Sequence, residues 1–193
     1  QRAAITPKTA RQLLVTGGVK RMRALVLAFA VGLASASALA QEKAEPNNTT
    51  AAQINYSGFR SLTREVEAYR QDRLVTHAQF QRMAGEPNTI VLDARSADAY
   101  AEGHIDGAIN LPFTDFTDQS LREVLRDPNV RILIYCNNNF SNNAQPVILK
   151  SAPLALNIQT FINLYGYGYR NVYELGDVID FNDPAVGWVR TAG

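Results

Sequence analysis

The chain has 193 residues, 46% of them hydrophobic, enough for one ordinary domain with a buried core and for segments outside it. Its formal charge of +1 conceals a split: residues 1–40 hold six basic groups and no acidic one, and the remainder holds thirteen basic against eighteen acidic groups, a formal −5. A mildly acidic body without a basic stripe argues against a nucleic-acid partner, and a single cysteine rules out an intramolecular disulfide.

Lys20, Arg21 and Arg23 precede an apolar run, Ala24 to Leu33, and small residues follow up to Ala38-Leu39-Ala40 before Gln41. A basic end, an apolar stretch and an A-x-A site together predict a secretory signal peptide over residues 22–40, cleaved after Ala40, with Met22 as the start and residues 1–21 as an upstream extension. Gly32, Ser35 and Ser37 interrupt the run, which makes it a poor permanent span; the alternative is an uncleaved N-terminal anchor. The expected product is periplasmic or secreted, with no membrane partner after cleavage. Residues 41–58 are read as a flexible beginning of the mature chain.

The first predicted helix covers 59–71, with Leu62, Val66 and Tyr69 at helical spacing and Ser61 as its cap, packed outside the main domain. Leu74-Val75 is a short strand. Thr76 caps a helix through Met83 that stops near Gly85. Thr89 to Ala94 is a continuous apolar strand of the kind buried on both faces. Ser96 caps a short helix through Ala101, ended by Gly103. A strand at Ala108–Leu111 stops at Pro112, and a helix at Asp118–Arg126 stops before Pro128. Val130 to Tyr135 is the most strand-like run, with Cys136 at its end. A helix at Ile158–Tyr165 and a strand at Asn171–Leu175 complete the series. Strands alternating with helices predict an α/β fold with a mainly parallel five-stranded sheet and helices on both faces. In such sheets ligands bind beyond the carboxyl ends of the strands, which is where Cys136 stands.

Five of the eight residues Cys136-Asn137-Asn138-Asn139-Phe140-Ser141-Asn142-Asn143 are asparagine, a residue that tolerates left-handed backbone. A loop of that kind can aim successive N–H groups inward as an anion nest, lowering a thiol pKa and stabilising a thiolate or sulfur-bound anion. From the residues alone, Cys136 is either such a nucleophile or a buried, inert thiol beside a solvated loop.

Val91-Leu92-Asp93-Ala94-Arg95, then Tyr100, then Gly103-His104-Ile105-Asp106-Gly107-Ala108-Ile109-Asn110-Leu111-Pro112 closely resembles the N-terminal signature of rhodanese domains. Ile134-Tyr135-Cys136 matches the strand that delivers that family's catalytic cysteine, and Gly168-Tyr169-Arg170-Asn171-Val172-Tyr173 its late strand entry; Gly176-Asp177 stands where the family often has Gly-Gly. The likeness spans roughly residues 73–181. It implies a sulfurtransferase: the Cys136 thiolate attacks the outer sulfur of a thiosulfate-type or persulfide donor, becomes a persulfide, and passes that sulfur to a thiophilic acceptor. It further implies that the loop residues Asn137, Asn138, Asn139, Phe140, Ser141 and Asn142 cradle the anionic intermediate. Asp93 and Arg95 would form a supporting ion pair, and no metal or organic cofactor is needed. The expected partners are a small sulfur-containing anion or a thiol acceptor.

Two features depart from the family pattern. Rhodanese loops commonly carry Arg or Lys a few residues after the cysteine, whereas positions 137–145 hold no cation and Lys150 is the first. The interval from Cys136 to Gly168 is also long, and Ala144 to Leu156 reads as an insertion that forms either a wall or lid of the site or an elaboration unrelated to chemistry. These departures sustain two other readings: a binding or regulatory module that kept the fold, and a thiol redox partner acting through mixed disulfides. His104 is read as a turn histidine bonded to backbone, His77 as a surface residue, and neither has the companions a zinc site requires. Trp188 is read as tacking the C-terminus onto the domain.

Overall fold

The computed structural model describes residues 52–191. The leader expected at 22–40, the extension at 1–21 and cleavage after Ala40 lie outside the described residues. Among the described residues no helix is long and apolar enough to cross a membrane.

Among the described residues seven strands and five α-helices follow in chain order: α1 Tyr56–Arg70, β1 Leu74–Val75, α2 His77–Ala84, β2 Thr89–Asp93, α3 Ala97–Glu102, β3 His104–Ile105, β4 Ile109–Asn110, α4 Asp118–Leu125, β5 Arg131–Tyr135, α5 Leu156–Gly166, β6 Val172–Leu175 and β7 Trp188–Val189. Five strands form one sheet in the order β1-β6-β5-β2-β4, and every neighbouring pair is parallel. The architecture is α/β, with helices against both faces. Strand alternation divides the core accordingly. Ile132 and Ile134 of β5 face a cluster with Val66 of α1, Leu121 and Leu125 of α4, and Phe161 and Leu164 of α5. Leu133 and Tyr135 face the opposite way, toward Phe80 of α2, Tyr100 of α3 and Val186.

Local capping explains most helix starts. Thr76 and Gln79 form a reciprocal capping box, Thr117 and Ser120 another, and the Ser96 hydroxyl accepts from the Ala99 amide. α1 differs from expectation: it begins at Tyr56, where the Asn55 side chain accepts from the Gly58 amide at 2.8 Å, and it packs on the domain rather than outside it. Val66 is buried in the core, Tyr69 donates to the Arg170 carbonyl at 2.6 Å, and Tyr165 of α5 donates to Glu65. α5 begins two residues before the predicted start, with Ala155 as an N-cap that makes no side-chain bond.

β3 and β7 pair antiparallel in a small second ribbon that the sequence pattern does not announce. Trp188 sits opposite Ile105 and lies 5.0 Å from the Phe140 ring centroid, which fastens the C-terminal segment to the domain. Gly103 is required beneath it, because a Cβ at that position would overlap the indole.

Candidate functional site

Cys136 follows the last residue of β5, the central strand, at the carboxyl end of the sheet. The same alternation that turns Ile132 and Ile134 toward α1 and α5 turns Cys136 that way. Glu174, register partner of Ile134 on neighbouring β6, shares that face. Between β5, β6, α1 and α5 lies a cavity of about 570 Å³, with Cys136, Asn138, Asn139, Asn157 and Glu174 among its lining residues.

Backbone amides from two places lower the Cys136 thiol pKa. The Asn138 backbone N–H comes from the turn after the strand; those of Leu156 and Asn157 come from the first residues of α5. Free N–H groups at a helix start carry partial positive charge and favour an anion. These donors pull the thiol pKa down. Burial pushes it up by more, since Cys136 is 1% exposed, and the Glu174 carboxylate adds to the upward push. The net shift is upward, opposite to the lowering expected of a nest loop, because burial outweighs the amides and the Glu174 charge adds to it.

The asparagines act mainly as struts. Asn139 Oδ1 accepts from the Cys136 amide at 2.9 Å and from Asn157 Nδ2 at 3.0 Å, while its Nδ2 donates to the carbonyls of Leu175 at 2.8 Å and Asp177 at 3.2 Å. One side chain thus ties β5, β6 and α5 together at the sulfur. Asn137 Nδ2 donates to the Ile148 carbonyl at 2.9 Å, and Asn138 Nδ2 to that of Lys150 at 2.7 Å. These two bonds pin the 144–156 segment to the loop, and that segment runs directly into α5. Ala152 and Ala155 line the cavity, whereas Val147 is buried on the opposite face of the sheet.

Of the loop residues singled out in the sequence, the structure brings Asn138 and Asn139 to the cavity with Cys136. Asn137 lines a smaller neighbouring pocket with Arg95 and Lys150. Phe140 turns into the core between Tyr135 and Trp188. Ser141 and Asn142 hold the C-terminal segment, Asn142 donating to Asp180 at 2.6 Å and accepting from the Phe181 amide at 3.1 Å.

Asp93 and Arg95 pair beneath the loop, with Arg95 Nη2 at 2.5 Å from Asp93 Oδ2 and both side chains buried. Tyr135 donates to the same carboxylate at 2.6 Å; burial, then the Asp93 charge, raises its pKa well above the ordinary value and keeps it a donor. Neither ion-pair residue lines the cavity. His104 Nδ1 lies 2.8 Å from the Tyr100 carbonyl, its ring stacked on Tyr100, also outside the cavity.

Sequence reasoning missed three contributors: Arg70, Glu174 and the amides of Leu156 and Asn157. Glu174 alone carried a signal, as a charged residue inside the otherwise uncharged β6. Arg70 binds both its oxygens from α1, Nη2 reaching Oε1 at 2.8 Å and Nε reaching Oε2.

The family model described as "Rhodanese-like domain" matches residues 76–176. Among solved structures the chain is similar to the BH2092 protein from Bacillus halodurans, at 24% identity over 56% of this chain and 73% of that one, TM-score 0.41. It is similar to the Alr3790 protein from Anabaena sp., at 20% identity over 60% and 80%, TM-score 0.43. It is also similar to a variant of EanB in complex with hercynine, at 22% identity, TM-score 0.41; the match covers 61% of this chain but only 26% of EanB. No curated protein matches the chain.

Proposed function

The chain belongs to the rhodanese-like domain family, and from that premise we propose that it is a sulfurtransferase carrying sulfur as a Cys136 persulfide, taken from a thiosulfate-type or persulfide donor and passed to a thiophilic acceptor. The observation that carries this reading is the placement of Cys136 at the carboxyl end of the central strand, lining a cavity shared with the start of α5.

In the first step the Cys136 thiolate attacks the outer sulfur of the donor. A new S–S bond forms, the donor's own S–S bond breaks, and the donor leaves with the electron pair as a thiolate or sulfite. The added sulfur extends into the cavity, where the acceptor's nucleophile takes it and returns Cys136 to thiolate. The amides of Asn138, Leu156 and Asn157 stay fixed through both steps and stabilise the anionic sulfur wherever it forms, because their orientation is set by the fold rather than by the substrate. Asn139 and Asn157 hold the strand end and the helix start in register.

The raised thiol pKa and the missing loop cation favour a second reading, a binding module in which the cavity holds a ligand without turning it over. Thiocyanate formation separates the two. Protein incubated with a persulfide donor and cyanide yields thiocyanate catalytically under the first reading, and Cys136→Ser yields none. Absence of turnover with every donor supports the second. We also propose that the protein is exported, on the strength of the basic-apolar-small pattern of residues 20–40; a mature N-terminus at Gln41 in the periplasmic or secreted fraction is the expected result.

A further inference from the structure

Besides Cys136, four ionisable side chains line the cavity: Glu67, Arg70, Glu174 and Asp177. Three are carboxylates. The one guanidinium is engaged through Nε and Nη2 with both oxygens of Glu174, a bidentate pair that offsets its charge over the cavity and leaves only Nη1 outside the pair. Asn157 Nδ2 adds a third contact to Glu174 at 3.3 Å. The pair is not a surface decoration: the Glu174 side chain is 8% exposed and stands on the same sheet face as the nucleophile, one strand away. The rest of the wall is largely apolar, with Val66, Leu74, Phe161, Ile162 and Val178. A negatively biased, low-dielectric recess repels anions and concentrates cations.

We propose, on the premise that Cys136 is the sulfur carrier, that Glu174 is the specificity-determining residue of the site. By occupying Arg70 it makes the cavity a charge filter that admits neutral or cationic sulfur compounds with an apolar body and turns away dianions such as thiosulfate. The donor class is therefore an uncharged organic hydropersulfide. Its transfer balances as attack of the Cys136 thiolate on the terminal sulfur, cleavage of the donor S–S bond and departure of an organic thiolate, with no net oxidation. Arg70, brought by α1 from outside the region matched by the family model, supplies the cation that the 137–145 loop lacks, and Glu174 neutralises it.

The test measures the rate of mixed-disulfide formation at Cys136 in the full chain with three methanethiosulfonates: a small neutral methyl reagent, and a cationic trimethylammonioethyl and an anionic sulfonatoethyl reagent of similar size. Each reaction releases methanesulfinate and requires no sulfur-transfer activity. Rates are divided by those of 2-mercaptoethanol. The cation-over-anion ratio is expected to exceed the reference by roughly tenfold to a hundredfold, the range of electrostatic focusing in charged clefts. Glu174→Gln, which frees Arg70 and keeps an acceptor oxygen, is expected to lower the ratio about tenfold and to speed sulfur loading from thiosulfate; Arg70→Gln is expected to raise it. A wild-type ratio equal to the reference, or a ratio unmoved by Glu174→Gln, overturns the proposal. A ratio that behaves as expected, with Cys136 accepting sulfur from no donor, keeps the filter and removes the sulfurtransferase reading instead.

Discussion

Replacing Asn139 with alanine tests whether the asparagine loop works through its side chains. Asn139 makes four side-chain hydrogen bonds, two of them to the buried Cys136 amide and the buried Leu175 carbonyl. Truncation leaves those two backbone groups without partners. At about 1–3 kcal/mol for each orphaned buried group, discounted for water that can enter from the cavity, the loss comes to about 3 kcal/mol. A domain of this size has a urea dependence of about 2 kcal/mol per molar, so the unfolding midpoint should fall by about 1.5 M. Asn142→Ala is the internal comparison. Its bond to Asp180 is exposed and that from the Phe181 amide only part-buried, and the shift should stay within about 1 kcal/mol, or 0.5 M. Loosening the start of α5 should also speed iodoacetamide modification of Cys136. If the Asn139 variant unfolds within about 0.25 M of wild type, as ordinary surface substitutions do, the strut account is wrong.

Asp93→Asn leaves the buried Arg95 guanidinium uncompensated and should cost about 3–5 kcal/mol in a urea titration. Gly103→Ala drives a Cβ into the Trp188 indole; overpacking of this kind costs about 1–3 kcal/mol, and Trp188 fluorescence should report its displacement. The raised thiol pKa of Cys136 predicts that iodoacetamide modification keeps accelerating above the ordinary cysteine range, with the midpoint lowered by Glu174→Gln because the carboxylate disfavours the thiolate. The stability sign follows from the same shift. The folded protein holds the thiol proton more tightly than the unfolded chain does, so this contribution is complete below the unfolded value of about 8.5 and is lost as pH rises through the folded value. Wild type should therefore lose stability relative to Cys136→Ser only in alkaline solution.

The sheet was legible because β2 and β5 are continuous apolar runs, and α2 and α3 because Thr76 and Ser96 are strong caps. α5 lacks such a cap, so its first two residues, whose amides lower the thiol pKa, were invisible in the sequence. β3 and β7 are two residues each, too short to carry a period. The position of Cys136 at the end of a central strand was readable from pattern alone. The use made of the asparagines was not, because an amide side chain that bridges strands and one that merely permits a left-handed turn look the same in a sequence. The Arg70–Glu174 pair joins residues 104 apart, with no local pattern to announce it.

The carrier role of Cys136 is tested most directly by the intact mass of the protein after exposure to an alkyl hydropersulfide. A gain of one sulfur atom, removed by cyanide and absent from Cys136→Ser, is the predicted result. An unchanged mass, in protein whose Cys136 still reacts with iodoacetamide, would contradict it.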